Sequence, residues 1–198
     1  PLLYPSIEEH VQTIIEEKIP IVFTSAGSPK KWTSLFKQHG IKVVHVVSNK
    51  IFAQKSEAAG VDAIVAEGFE AGGHNGREET TTMCLIPVVT ESVSIPVIAA
   101  GGIGSGKAMA AAFALGAEGV QIGSRFVVTP ESSAHINFKN AIVDANEGAT
   151  ELTLKELTPV RLMKNKFYHQ IQDAYSNNAS NIELKEILGR ARAKIGMF

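Results

Sequence analysis

The sequence predicts an α/β fold built on a parallel sheet. Two observations predict it. Short β-branched runs alternate with helix-like segments, about one βα pair every 20–35 residues. The runs are also almost continuously apolar, as strands are when both faces of the sheet are covered.

The elements follow in order. Ile7, Val11, Ile14 and Ile15 give helical spacing over Ser6–Glu17, with Ser6 as N-cap and Glu9 three residues on. A strand is predicted over Ile19–Phe23, then a helix over Lys30–His39 stopped by Gly40. The next pair is a strand over Lys42–Val47 and a helix over Lys50–Ala59 stopped by Gly60. Val61–Ala66 is the third strand, and Thr82–Val93 the helix after it. Ile95–Ala99 is the fourth strand, Gly106–Leu115 its helix, stopped by Gly116, and Gly119–Ile122 the fifth strand. A glycine just past a helix end adopts positive φ at little cost. Right-handed crossovers would join these units.

After Phe126 the pattern turns polar and helical. Helices are expected over Glu131–Asn146, Leu154–Asn177 and Ile182–Lys194, with an Asn-rich loop over 176–181. The expected organisation is therefore βα units over 1–129 and a helical extension covering the site over 130–198.

Composition excludes several classes. The 198 residues suit about one domain, and 44% hydrophobic content allows a sizeable core. Nineteen basic and twenty acidic residues leave a net charge of -1, so no nucleic-acid partner bound by phosphate neutralisation is expected. The single Cys84 leaves neither an internal disulfide nor a cysteine cluster for metal, and no metal site is expected. No apolar run approaches the ~20 residues of a membrane span, and no signal peptide is visible. A cytoplasmic protein without a membrane partner is the expectation, with a homodimer as the default assembly.

Three loops carry the chemistry. The first is Ala66-Glu67-Gly68-Phe69-Glu70-Ala71-Gly72-Gly73-His74-Asn75-Gly76-Arg77, directly after a strand. Its glycines allow a flat ligand to approach closely. His74 can exchange protons near neutral pH, and Glu67 sits at a strand end, where α/β folds place functional groups. The second is Gly101-Gly102-Ile103-Gly104-Ser105-Gly106-Lys107, which opens a helix whose N–H groups and dipole favour an anion such as phosphate. Gly101–Lys107 matches the glycines and lysine of a P-loop, but Ala108 stands where the magnesium-binding hydroxyl belongs. A dinucleotide fingerprint starting at Gly102 fails at Lys107. The third loop is Gly123-Ser124-Arg125-Phe126.

Two successive glycine loops, 22 residues apart from Gly101 to Gly123, suit the shared phosphate site after strands seven and eight of a (β/α)8 TIM barrel. The present strands would then be four to eight, with the first three, roughly 75 residues, lying upstream. By pattern alone a small open sheet remains an alternative.

Other residues take plainer readings. His45 lies within a strand as a packed or barrel-lining residue. Ser25, Ala26 and Gly27 suit a turn as well as a barrel mouth. Cys84 falls on an apolar helix face and reads as core. Arg77, Glu78 and Glu79 read as a solvated charge cluster, and His135 and His169 as surface residues. No G-x-S-x-G nucleophile elbow occurs.

At these loops the chain resembles a known family. VDAIVAEGFEAGGHNG, IPVIAAGGIGSG, GVQIGSRFV and TSAGSP look like the nitronate monooxygenase (2-nitropropane dioxygenase) family, which includes FMN-dependent enoyl-acyl-carrier-protein reductase II. The resemblance implies an FMN oxidoreductase with NAD(P)H as electron donor. It places His74 at the flavin edge as catalytic base or orienting group, and Glu67 in the flavin's supporting network. It brings Ala71, Gly72 and Gly73 close to the isoalloxazine, and puts the FMN phosphate on Gly101, Gly102, Gly123 and Ser124.

Pro130–Lys139 and Pro159–Asn165 look more like the enoyl reductase branch, whose work is in fatty acid synthesis. The substrate implied is an enoyl thioester, small or carried on acyl carrier protein; the family alternative is an alkyl nitronate oxidised with O2. A non-catalytic phosphate-binding module is the reading from another class. The family's early strands and part of its C-terminal tail have no counterpart in the sequence. The chain alone is therefore expected to lack turnover, which flavin content beside a longer form would check.

Overall fold

A computed structural model describes residues 1–3 and 5–189. In chain order the elements are α1 (Ile7–Glu16), β1 (Ile21–Thr24), α2 (Lys30–Gln38), β2 (Lys42–Val47), α3 (Lys50–Ala58) and β3 (Ala63–Glu67). Then come β4 (Gly73–His74), α4 (Thr82–Thr90), β5 (Val97–Ala100), α5 (Gly106–Ala114), β6 (Gly119–Gln121) and α6 (Ser124–Val127). The last are α7 (Ile136–Val143), β7 (Thr150–Thr153), β8 (Val160–Met163), α8 (Lys166–Ser176) and α9 (Asn181–Leu188).

The chain divides into two compact units. One holds Pro1–Phe69 and Glu78–Gln121; the other holds Glu70–Arg77 and the chain from Ile122 onward. The division thus falls before residue 130, and the His74 loop belongs with the later part of the chain.

The first unit is built on a parallel sheet in the order β1-β2-β3-β5-β6. Each of these strands lies beside the next one in the sequence, and the direction never reverses. A doubly wound sheet reverses at its switch point, so this order is that of a (β/α) barrel wall and not of the open-sheet alternative. The register aligns Thr24 with His45, Val47 with Ala66, Glu67 with Ala100 and Ala100 with Gln121.

Successive strand residues point to opposite faces. On one face Val44, Val65 and Ala100 form a buried cluster, with Val46, Ala63 and Ile98 packed against it. That cluster contains strand residues alone. The helix-covered face carries Val43, Ile64, Ala66 and Ala99, all buried, as are Phe36 of α2 and Leu85, Ile86 and Val89 of α4. Gly40 and Gly60 end α2 and α3 at φ +73° and +84°, as their positions predict. Ser6 differs: its side chain makes no capping bond to α1.

The second unit corrects the all-helical reading of residues 130–198. Thr150–Thr153 and Val160–Met163 pair as antiparallel strands, and β4 adds to β8 in the order β4-β8-β7. The predicted helix over Leu154–Asn177 therefore begins only at Lys166. Pro159 disfavours helical geometry at Thr158, and Leu154 takes φ +56°. The Asn165 side chain then caps α8 by accepting from the Tyr168 N–H at 3.0 Å. The predicted helix over Glu131–Asn146 shortens to α7. Leu154, Phe167, Ile171 and Leu184 make this unit's core. Ser180 and Glu183 form a capping box on α9; residues 190–194 of the predicted last helix lie outside the described residues.

Candidate active site

In the first unit the structure brings together Glu67, Gly101 and Gly102. Glu67 ends β3 on the same face as Val65, the face of the strand-only cluster. Its carboxylate has no hydrogen-bond partner among the described residues, and burial pushes its pKa up. The next residue, Gly68, donates its N–H to the Ala100 carbonyl at 2.9 Å. This draws the loop after β3 onto the loop after β5. The approach is tight: a Cβ at Gly101 would stand 2.8 Å from the Gly68 carbonyl oxygen and 2.9 Å from Thr82 Oγ1. Gly101 also has φ +102° and Gly102 φ +68°. Two consecutive positive φ angles and a closed space explain why glycine stands at Gly101.

Beyond this turn lies a run of free donors. From Gly102 to Lys107 no backbone N–H donates to a partner among the described residues. Ser105 caps α5 by accepting from Ala108 N–H, leaving the earlier groups open. A Cβ at Gly104 or Gly106 would meet nothing within 4 Å. A set of unused N–H donors at the head of a helix, all but that of the buried Ile103 on exposed residues, fits the oxygens of a phosphate ester.

The second unit contains Ala71, Gly72, Gly73 and His74. β4 pairs with β8, setting Gly73 opposite Arg161 and His74 opposite Val160. The loop is fixed from its other end too. Asn75 Nδ2 donates to the carbonyls of Ala71 (2.9 Å) and Gly73 (3.0 Å), and Asn75 N–H donates to Pro159 O at 2.9 Å. Arg77 Nη2 donates to the Leu157 carbonyl at 2.8 Å. The His74 side chain is exposed, and a Cβ at Gly72 or Gly73 would meet open space. A flat ring can lie against such a backbone. Gly123 and Ser124 are exposed at the start of the short α6.

Sequence reasoning missed Asn75, Arg77 and Thr82. Arg77 is no idle surface charge, as its bond to Leu157 shows, and Glu78 accepts from Asn49 Nδ2 at 2.8 Å. Two of their partners are distant in sequence, Pro159 for the Asn75 N–H and Leu157 for Arg77, and both lie just before β8. Cys84 is exposed, correcting its reading as core. His45 is buried on the helix-covered face with its Nδ1 2.7 Å from Thr24 Oγ1, so it does not face the strand-only cluster. Desolvation holds its pKa below the usual histidine range, against a hydrogen bond to the Gly27 backbone that raises it. Among the described residues no group of three or more His, Cys, Asp or Glu side chains could hold a metal ion. No helix there is long and apolar enough to cross a membrane.

The strand order makes the first unit the wall of an α/β barrel. A family model described as nitronate monooxygenase matches residues 5–197, and the chain belongs to that family of flavin-dependent oxidoreductases. It is similar to a probable nitronate monooxygenase of Staphylococcus saprophyticus, 33% identical over 199 residues that cover 94% of this chain and 56% of that protein. A probable nitronate monooxygenase of Staphylococcus aureus (strain Newman) is 38% identical over 153 residues, 73% of this chain and 43% of that one.

Among solved structures, FabK from Thermotoga maritima superposes with TM-score 0.84 at 46% identity, covering 89% of this chain and 57% of its own. A nitroalkane oxidase from Streptomyces ansochromogenes gives TM-score 0.76 at 28% identity, covering 96% and 58%. The chain thus spans about half the length of the curated relatives it matches.

Proposed function

We propose that this chain belongs to an FMN-dependent enoyl-acyl-carrier-protein reductase that draws electrons from NADH or NADPH. One observation carries the choice within the family. Identity to FabK, an enoyl reductase, is 46% over 89% of the chain, against 28% to the nitroalkane oxidase. The substrate class is a 2-enoyl thioester, either small or carried on acyl carrier protein, and the setting is cytoplasmic.

The donor set supports FMN. The unused N–H groups from Gly102 to Lys107, with Gly101 making the turn, would hold the phosphate. Gly72 and Gly73 would lie against the ring, and Glu67 would stand in the polar support around it. When bound, FMN supplies the hydride chemistry, and the protein supplies orientation and electrostatics. His74 orients the thioester and handles its proton from a loop held by Asn75, Arg77 and β8. Oxidation of alkyl nitronates by O2, with His74 as base, is the second reading, favoured by the names of the curated relatives.

Anaerobic stopped flow on the holoenzyme separates the two. Bleaching of the flavin band by NADH or NADPH, then reoxidation by crotonyl thioester, is the expected result. Bleaching by a nitronate but not by either nicotinamide would replace this reading with the second.

A further inference from the structure

Thr82 opens α4, outside all three glycine loops, with only 8% of its surface exposed. Its Oγ1 lies 2.9 Å from the Gly101 carbonyl oxygen and 3.3 Å from that of Ala100. Of these two donor contacts the one to Gly101 is the shorter. The Gly101 carbonyl is therefore turned inward to Thr82.

That bond has a consequence one atom away. The Gly101–Gly102 peptide is planar and trans, so its N–H points opposite to its C=O. Anchoring the carbonyl inward turns the Gly102 N–H outward. Gly102 is exposed, and its N–H has no acceptor among the described residues. It is the first donor of the free run that ends at Lys107. A glycine pair with positive φ on both residues has wide conformational freedom, so something must select one orientation of the shared peptide. The Thr82 hydroxyl supplies that selection from within the core.

We propose that Thr82 is a positioning residue for the cofactor phosphate. It fixes the Gly101–Gly102 peptide so that the Gly102 N–H is aimed before the ligand arrives. Preorganised donors bind more tightly because less freedom is lost on binding. The proposal rests on the FMN-phosphate role given above to the loop after β5.

The test compares FMN with riboflavin, which has the same ring and no phosphate. Dissociation constants from flavin fluorescence quenching are measured for the wild type, Thr82→Val, Thr82→Ala and Thr82→Ser. Thr82→Val and Thr82→Ala are expected to weaken FMN about tenfold, to leave riboflavin within about twofold, and so to shrink the FMN-to-riboflavin ratio. Thr82→Ser keeps the hydroxyl and is expected to restore FMN affinity. A merely structural role would weaken both ligands alike. Should Thr82→Val fail to fold, Thr82→Ala and the serine rescue still decide the matter.

A wild type that discriminates, beside Thr82→Ala with an unchanged ratio or an equal loss for both ligands, overturns the proposal alone. A wild type that binds FMN and riboflavin equally removes the phosphate reading itself, and this proposal with it.

Discussion

His74 stands opposite Val160 in an antiparallel pair, so a strand far along the chain holds the backbone of the candidate catalytic residue. Asn75 and Arg77 tie the same loop down, by two side-chain bonds to Ala71 and Gly73 and one to Leu157. Such bonds contribute about 0.5–1.5 kcal/mol each, and less where they are exposed. Asn75→Ala and Arg77→Ala are therefore expected to speed amide exchange over 70–77 severalfold with little change in global melting. Unchanged exchange in both variants would show that the pairing of β4 with β8 suffices.

His74 is exposed and packs no core, so its removal should spare the fold. His74→Ala is expected to keep its flavin and its urea midpoint while losing about 10²–10⁴-fold in turnover, the usual span for a positioned proton-transfer group. Steady-state kinetics beside flavin content checks this. Loss of flavin in step with activity would point to a binding role instead.

At Gly101 a methyl group would press on the Gly68 carbonyl and on Thr82 Oγ1. Gly60 also has positive φ, +84°, but open space around it. Gly60→Ala should cost about 1–2 kcal/mol, the conformational penalty alone. Gly101→Ala should cost more, by a further ~1–3 kcal/mol of overpacking. Urea denaturation of the two variants gives the difference directly, and equal midpoints would mean that the loop relaxes freely.

One buried and one half-buried group give stability opposite pH dependences. His45 has its pKa lowered by desolvation, so the unfolded chain binds the extra proton first. Its stabilising contribution is complete above the unfolded value of 6.5 and is lost as pH falls toward the folded pKa. Glu67 has its pKa raised by burial, so its contribution is complete below the unfolded value of 4.5 and is lost as pH rises through the folded pKa. Glu67→Gln is expected to flatten the alkaline side of this pair, and His45→Gln the acid side. Urea midpoints between pH 4 and 8 measure both slopes; a Glu67→Gln profile parallel to wild type would mean that Glu67 ionises normally.

The βα units were legible because each rests on local signals. Lys42–Val47 is a strand with the bounds its residues predict, and the glycine stops at Gly40 and Gly60 fall where the helices end. The loops that carry the candidate site could be found for the same reason: each follows a strand and is marked by glycine. The β7–β8 hairpin was not legible. Val160–Met163 reads as readily as helix, and only its partners Thr150–Thr153 and Gly73–His74 make it a strand. Short apolar segments lack a decisive period, and the pairing that resolves them is non-local.

By itself the sequence determined the class: β-branched runs spaced by capped helices, a histidine among glycines, and a phosphate-type loop after a strand. These are properties of neighbouring residues, fixed by φ preference, side-chain branching and helix-end chemistry. The tertiary structure decided what those residues touch. It turned the Gly101 carbonyl to Thr82, set His74 against Val160, buried His45 on the helix-covered face and left Glu67 on the other. Each of these depends on a contact between segments far apart in the chain, and such contacts form only when burying the core brings those segments together.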